Sequence, residues 1–161
     1  MSDSTSYKYS ICGYKLCDHE FINISTKHFY NDTRVFHRFQ RLFNEYTSDP
    51  IYISSFKNVE TNDLNNISLG KPSLIHLLYF LIKNFKNLNQ RVLLLHDPEI
   101  LIIVPILNIF NYKKIIFDAH EDVEEDILIK EYIPVCIRKF ISKMFGAYLN
   151  FLIHFKLKTI S

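Results

Sequence analysis

Two short segments of this sequence concentrate side chains that can move protons or bind hydroxyl groups. The first segment is His96–Glu99, and the second is Asp118–Asp122. A histidine beside carboxylates can act as a general base near neutral pH, so His120 is the candidate catalytic residue. Asp97 has a second interpretation, because an aspartate before Pro98 is typical of a helix N-cap.

The same side chains could also form a metal site, since imidazole and carboxylate groups suit zinc or manganese. The candidate ligands are His96, Asp97, Asp118, His120 and Asp122. Nothing in their spacing fixes a coordination geometry, and Cys12, Cys17 and His19 fit no zinc pattern. We therefore expect no metal, and a metal-dependent hydrolase is the less favoured alternative.

A third polar group lies before a predicted helix. Arg34 could present its guanidinium to a phosphate or carboxylate, with Asp32 beside it. An N-cap with an internal ion pair explains the same residues equally well, and both interpretations stay open.

The elements that must position these groups alternate along the chain. Short apolar or alternating runs predict strands at 21–25, 51–53, 91–95, 113–117 and 157–160. Apolar residues at three- and four-residue spacing predict helices over 33–46, 72–88, 100–110 and 134–155. Residues 54–71 are polar and aperiodic, which predicts a loop. The alternation indicates an α/β fold, a parallel sheet with helices on both faces.

Ligands of such sheets bind outside the carboxyl ends of the strands. That rule brings three segments, 26–34, 96–99 and 118–122, to one edge. We therefore expect His96, Asp97, Asp118 and His120 to lie close together.

Composition limits the function classes. The 161 residues are 48% hydrophobic and 22% charged, which excludes wholesale disorder, and a net charge of +2 argues against a nucleic-acid binder. Three glycines argue against a glycine-rich phosphate loop. Three cysteines form no disulfide framework, so a cytoplasmic location is expected.

We expect a polar, flexible leader over residues 1–18 and one domain over 19–161. No uncharged run reaches the roughly 18–20 apolar residues that span a bilayer. The predicted helix region 134–158 is basic and rich in Phe, Leu and Ile. It could lie on the inner face of the cell membrane as a peripheral contact, or dock on the sheet with its lysines in water.

Two segments have a more specific pattern. Leu95–Leu101 resembles the "HDPELL" segment of family 4 glycosyltransferases of the GT-B class, and Ile116–Asp122 resembles their "YDVHED" segment. Asn31–His37 looks like their "DTRIF" helix start, and Lys130–Pro134 fits the stretch after "HED". The order and spacing agree from Phe21 to Ser161.

This resemblance implies an enzyme that transfers a sugar from a nucleotide-sugar donor to a bacterial surface glycan or its lipid-linked precursor. Such enzymes have two Rossmann-like domains, and the N-terminal one mainly receives the acceptor. His120 matches the strand-end histidine that contacts the sugar in related enzymes. The acceptor cleft is then expected to hold His96, Asp97, Glu99, Asp118, Glu121, Asp32 and Arg34.

The chain also departs from that family. It has no Glu-x7-Glu motif of a donor domain, and its loop 26–32 lacks glycines. The resemblance therefore implies a truncated or split enzyme that is inactive alone and binds no cofactor itself. A glycan or lipid-linked acceptor and a separate donor-domain chain are its expected partners. The alternative is a non-catalytic interaction module derived from a glycosyltransferase.

Overall fold

The computed structural model describes residues 10–11, 14–15, 20–26, 51–54, 66–69, 73–112, 114–119, 122–154 and 157–160. The predicted helix 33–46 and the candidate site residues Asp32, Arg34, His120 and Glu121 lie outside these ranges. None of the helices within the described ranges is long and apolar enough to span a bilayer.

The strands are β1 (Ser10–Ile11), β2 (Tyr14–Lys15), β3 (Phe21–Ser25), β4 (Ile51–Ser54), β5 (Asn66–Ser68), β6 (Val92–Leu95), β7 (Ile115–Asp118) and β8 (Leu157–Ile160). The helices are α1 (Leu74–Lys83), α2 (Phe85–Leu88), α3 (Val104–Ile109), α4 (Val123–Ile129) and α5 (Val135–His154). A 3-10 helix, Pro98–Ile103, comes directly before α3.

Six of the strands form one sheet in which every neighbouring pair is parallel. Their order is β5-β4-β3-β6-β7-β8, while β1 and β2 pair separately and antiparallel within the predicted leader. The chain steps outward from β3 to β5 in one direction and from β6 to β8 in the other. This doubly wound order is the α/β Rossmann-like fold that the sequence predicts.

The sheet is buried on both faces. Alternate strand residues pack with α1, the 3-10 helix, α3 and α5 in one core cluster, among them Ile22, Ile24, Leu93, Leu95, Ile115 and Phe117. The intervening residues, such as Leu94 and Ile116, point to the opposite face and are equally buried. Burial on both sides explains why these strands are nearly continuous apolar runs.

The structure differs from the prediction at an extra strand and at a break within a predicted helix. Strand β5 lies inside the predicted loop 54–71, because three residues at the edge of a sheet leave almost no pattern in the sequence. The predicted helix 72–88 is broken at Asn84 into α1 and α2. The Asn84 side chain donates a 2.8 Å hydrogen bond from Nδ2 to the Phe80 carbonyl and competes with the helix backbone.

The predicted helix 100–110 begins as the 3-10 helix Pro98–Ile103 and continues as α3, whose first turn contains Pro105. A proline has no N–H, so it cannot donate to the carbonyl of Leu101 four residues earlier. That carbonyl accepts from the Val104 N–H, three residues on, and from the Tyr148 hydroxyl of α5 at 2.9 Å. Burial raises the pKa of Tyr148, in keeping with a neutral hydroxyl held inside the fold.

Helix α3 ends at a left-handed residue. Asn111 has φ 63°, a conformation that asparagine tolerates better than most residues. Behind it, the Tyr112 N–H donates to the Leu107 carbonyl at 2.9 Å, which turns the chain into the core. The Tyr112 hydroxyl donates to the Leu81 carbonyl at 2.8 Å, and burial raises its pKa to about 12.

The turn between α4 and α5 is organised by one arginine. Arg138 donates from Nε to the Ile133 carbonyl at 2.6 Å and from a terminal nitrogen to the Leu128 carbonyl at 3.1 Å. A second terminal nitrogen reaches the Glu131 carbonyl at 3.4 Å. Carbonyls that the end of α4 leaves without helical partners are thereby satisfied.

Candidate functional site

The carboxyl ends of three central strands carry polar side chains at matching positions. Ile24, Leu95 and Phe117 share one register position of β3, β6 and β7. The next residue along each strand is Ser25, His96 and Asp118 respectively. Parallel pairing therefore brings His96 and Asp118 together, as the sequence predicts.

His96 is almost fully buried, with 1% of its surface exposed. Its ring nitrogen Nδ1 lies 3.0 Å from Asp118 Oδ2, and Nε2 contacts Oδ1 of Asn23. The His96 backbone N–H donates to the Ile24 carbonyl at 3.2 Å, which keeps β6 paired to β3 beyond its last strand residue. The imidazole therefore bridges β3 and β7 across the end of β6.

Asn23 contributes an unusual feature to this contact. Its Nδ2 is buried and has no hydrogen-bond partner among the residues that the structure describes. A half-turn of the amide would let Nδ2 donate to Nε2 of His96, with a neutral ring donating from Nδ1 to Asp118. We expect that arrangement in solution. Nitrogen-15 NMR of the ring tests it, and hydrogen on both ring nitrogens would contradict it.

Asp97 connects β6 to β3 by hydrogen bonds at the same edge of the sheet. Its Oδ2 accepts hydrogen bonds from the Ser25 hydroxyl at 2.8 Å and from the Thr26 backbone N–H at 2.5 Å. The Thr26 hydroxyl lies 3.0 Å from Glu99 Oε1 and 3.2 Å from Asp97 Oδ2. Asp97 is the N-cap residue of the 3-10 helix, and its carbonyl accepts from the Ile100 N–H at 3.0 Å, but its side chain makes no cap hydrogen bond. The N-cap interpretation is therefore right for the position and wrong for the side chain, whose carboxylate ties the end of β3 to the end of β6.

These hydrogen bonds join the strand ends and stabilise the carboxyl edge of the sheet. His96, Asp97 and Asp118 are each at most 3% exposed, so their side chains have almost no surface for a solute. Both ring nitrogens of His96 already face protein atoms, which leaves no lone pair for a metal. Across the described ranges no three His, Cys, Asp or Glu side chains are grouped as metal ligands.

A cavity of about 390 Å³ opens beside the end of β7. Its lining combines strand-end, α4 and α5 residues: Phe117, Ala119, Asp122, Val123, Glu124, Phe145 and Leu149. Asp122 caps α4, because its Oδ1 accepts from the backbone N–H groups of Glu124 and Glu125 at 3.1 Å. Aromatic and aliphatic walls with a few carboxylates are typical of a site for a polar organic ligand.

Gly146 of α5 lies beside the Glu124 carboxylate. A Cβ atom at position 146 would lie 2.5 Å from Oε1 of Glu124, so a larger residue there would displace this exposed side chain from its place against α5. Glycine inside a helix costs about 1 kcal/mol relative to alanine. Close packing of the Glu124 carboxylate gives that glycine a structural reason.

Part of this site could be predicted from the sequence. The strand order predicts the shared edge of His96, Asp97 and Asp118, and Glu99 lies at that edge through Thr26. No sequence pattern singles out Asn23 and Ser25, which look like ordinary strand residues, or Thr26, which follows β3. Glu124 is also not singled out, and it lines the cavity while remaining exposed.

Comparison of the chain with protein-family models, with curated proteins and with solved structures gave no match. The function of the chain is therefore inferred from the geometry of the carboxyl edge and from the sequence resemblance.

Proposed function

We propose that this chain is the acceptor-side domain of a GT-B-class glycosyltransferase and that the cavity beside β7 receives the acceptor sugar. The cavity is the observation that carries the proposal. It lies at the carboxyl edge of a Rossmann-like sheet, where such folds bind ligands, and two carboxylates line it. The resemblance of segments 95–101 and 116–122 supports the same interpretation.

Each part of the site has a distinct role in this proposal. Asp122 and Glu124 accept hydrogen bonds from sugar hydroxyls, while the partly buried Phe145 covers an apolar face of the sugar ring. His120, which follows β7 in the sequence, contacts the reacting sugar as the resemblance implies. His96 and Asp118 are positioning residues, because they fix the end of β7 from which His120 follows.

The nucleotide-sugar donor belongs to a separate domain in this proposal. Transfer requires donor and acceptor to be held together in reacting geometry. We therefore expect the chain alone to bind a saccharide acceptor without transferring sugar to it. A radiolabelled nucleotide sugar incubated with the purified chain should show no turnover, and clear turnover would contradict this part of the proposal.

Saturation-transfer NMR of the purified chain tests the binding site itself. The probes are a panel of disaccharides from bacterial surface glycans, with nucleotide sugars as the competing class. We expect saturation transfer to at least one disaccharide and its loss in Glu124→Gln and His120→Ala. Glu125→Gln is the matched control, since Glu125 is the adjacent exposed carboxylate and does not line the cavity. Binding of nucleotide sugars alone, or equal loss in both glutamate variants, would overturn the proposal.

A further inference from the structure

Helix α5 has apolar side chains on two separate faces, about 120° apart around its axis. One face packs on the core through Leu152, with Phe145 and Leu149 partly buried against it. A second row, at three- and four-residue spacing, is exposed: Ile137, Phe140, Met144 and Ala147. We call these four residues the outer stripe. At about 100° per residue they lie almost opposite the buried Ser142 and Gly146.

The outer stripe is more than scattered surface apolar residues. Phe140 is 65% exposed, Met144 56% and Ile137 42%. A helix that covers a sheet usually presents charged or polar side chains to water on its free face. A continuous exposed apolar row marks a contact surface rather than a solvated one.

The charge of α5 indicates what the stripe contacts. The 20-residue helix contains Arg138, Lys139 and Lys143, ends at His154, and has no acidic residue. Arg138 donates its hydrogen bonds to carbonyls at the end of α4 and in the turn before α5. Lys139 and Lys143 are exposed, and neither forms a hydrogen bond or ion pair in the part of the chain that the structure describes.

We propose that the outer stripe lies in the interface of an anionic lipid bilayer, with Lys139 and Lys143 at the headgroup phosphates. Basic side chains beside an apolar helix face are the pattern of a helix that lies in the membrane plane. A second copy fits the charge less well, because each α5 would meet a helix with lysines and no carboxylate. Ile129 at the end of α4 and Tyr132 in the turn before α5 are further exposed apolar side chains close to α5 in sequence. This proposal does not depend on sugar binding.

Co-sedimentation with vesicles tests the proposal. The purified chain is mixed with phosphatidylcholine vesicles that either contain or lack phosphatidylglycerol. We expect binding to the anionic vesicles that weakens with salt. Lys139→Gln/Lys143→Gln should weaken binding roughly 30-fold, about fivefold per lysine. Phe140→Ser/Met144→Ser should weaken it roughly tenfold or more, because the inserted apolar surface is lost.

Ile75→Ser/Tyr79→Ser is the matched control. These residues lie four apart on α1 and are 79% and 65% exposed, so the control removes as much exposed apolar surface elsewhere. Circular dichroism verifies that each variant is folded. Equal loss in the control, or no preference for anionic vesicles, would overturn the proposal. A concentration-dependent dimer that Phe140→Ser/Met144→Ser dissociates, without vesicle binding, would assign the stripe to a second copy and overturn it as well.

Discussion

The carboxyl edge of the sheet and the outer face of α5 break the usual burial pattern in opposite directions. At the edge, the polar side chains of Asn23, His96 and Asp118 lie inside the fold. On α5, the apolar side chains of Phe140 and Met144 lie outside it. Buried polar groups and exposed apolar rows are the informative exceptions to the rule that hydrophobic residues go inside.

The difference between the two regions is energetic. A buried polar group is costly unless its hydrogen bonds are made, so the edge must stabilise the fold through its partners. An apolar side chain that stays exposed in the folded chain adds no hydrophobic stabilisation to it. The outer stripe can therefore stabilise only a complex in which another surface covers it. Substitutions in the two regions should therefore change the free energy of unfolding by different amounts, with the largest losses at the buried polar groups and the smallest at the outer stripe.

Asp97→Ala should lower the free energy of unfolding by about 3 kcal/mol, because it leaves the buried Thr26 N–H and Ser25 hydroxyl without their acceptor. Asp122→Ala is the matched control. That carboxylate also accepts backbone N–H bonds but is exposed, so about 1 kcal/mol should be lost. Urea unfolding measures both, and equal losses would show that burial of Asp97 adds nothing.

Stability should fall as pH rises from about 10 to about 12 because of Tyr112. Burial raises its folded-state pKa to about 12, so the folded chain retains a proton that the unfolded chain releases near its ordinary value of 10.0. The contribution is complete below pH 10 and is lost at higher pH, by about 2 to 3 kcal/mol. Urea unfolding at several pH values checks this. Tyr112→Phe should flatten that part of the profile, and an unchanged profile would contradict the assignment.

Tyr148→Phe should lower stability by about 1 kcal/mol, because the Leu101 carbonyl loses the Tyr148 hydroxyl and keeps the Val104 N–H as donor. A double-mutant cycle with Pro105→Ala sharpens this interpretation. An alanine at that position restores the N–H, so Pro105→Ala should be more favourable in the Tyr148→Phe background than in the original chain. Strict additivity of the two changes in urea unfolding would argue against a shared carbonyl.

Phe140→Ser/Met144→Ser should change stability by no more than about 0.5 kcal/mol per residue, because both side chains are more than half exposed. Thermal unfolding of the isolated chain measures it. A loss comparable to that of Asp97→Ala would mean that the outer stripe packs within the fold, and would remove the contrast between the two regions.

Much of the fold could be predicted from local pattern. The runs at 91–95 and 113–117 predict buried strands because burial on both faces removes polar residues from them. The edge strand Asn66–Ser68 and the break at Asn84 could not be predicted in the same way. Each depends on a partner, a neighbouring strand or a backbone carbonyl, rather than on periodicity.

The site was predicted only where strand topology decides it. His96 and Asp118 both lie at strand ends, so a parallel sheet brings them together. The N-cap interpretation places Asp97 correctly before the 3-10 helix, but the partners of its carboxylate, Ser25 and Thr26, lie more than 70 residues away at the end of β3. Which donors a buried carboxylate meets is a long-range property that its neighbours in sequence do not encode.

The sequence by itself determined the alternation of strands and helices. The burial of each element leaves the apolar spacing of a strand or of a helix in that segment's own residues. Only the tertiary structure decided that Asn23 meets His96 from 73 residues away, and which apolar face of α5 remains in water. Both apolar rows of α5 have helical spacing and suit a core equally well. Only one of the two rows packs against the sheet, and the other row remains exposed.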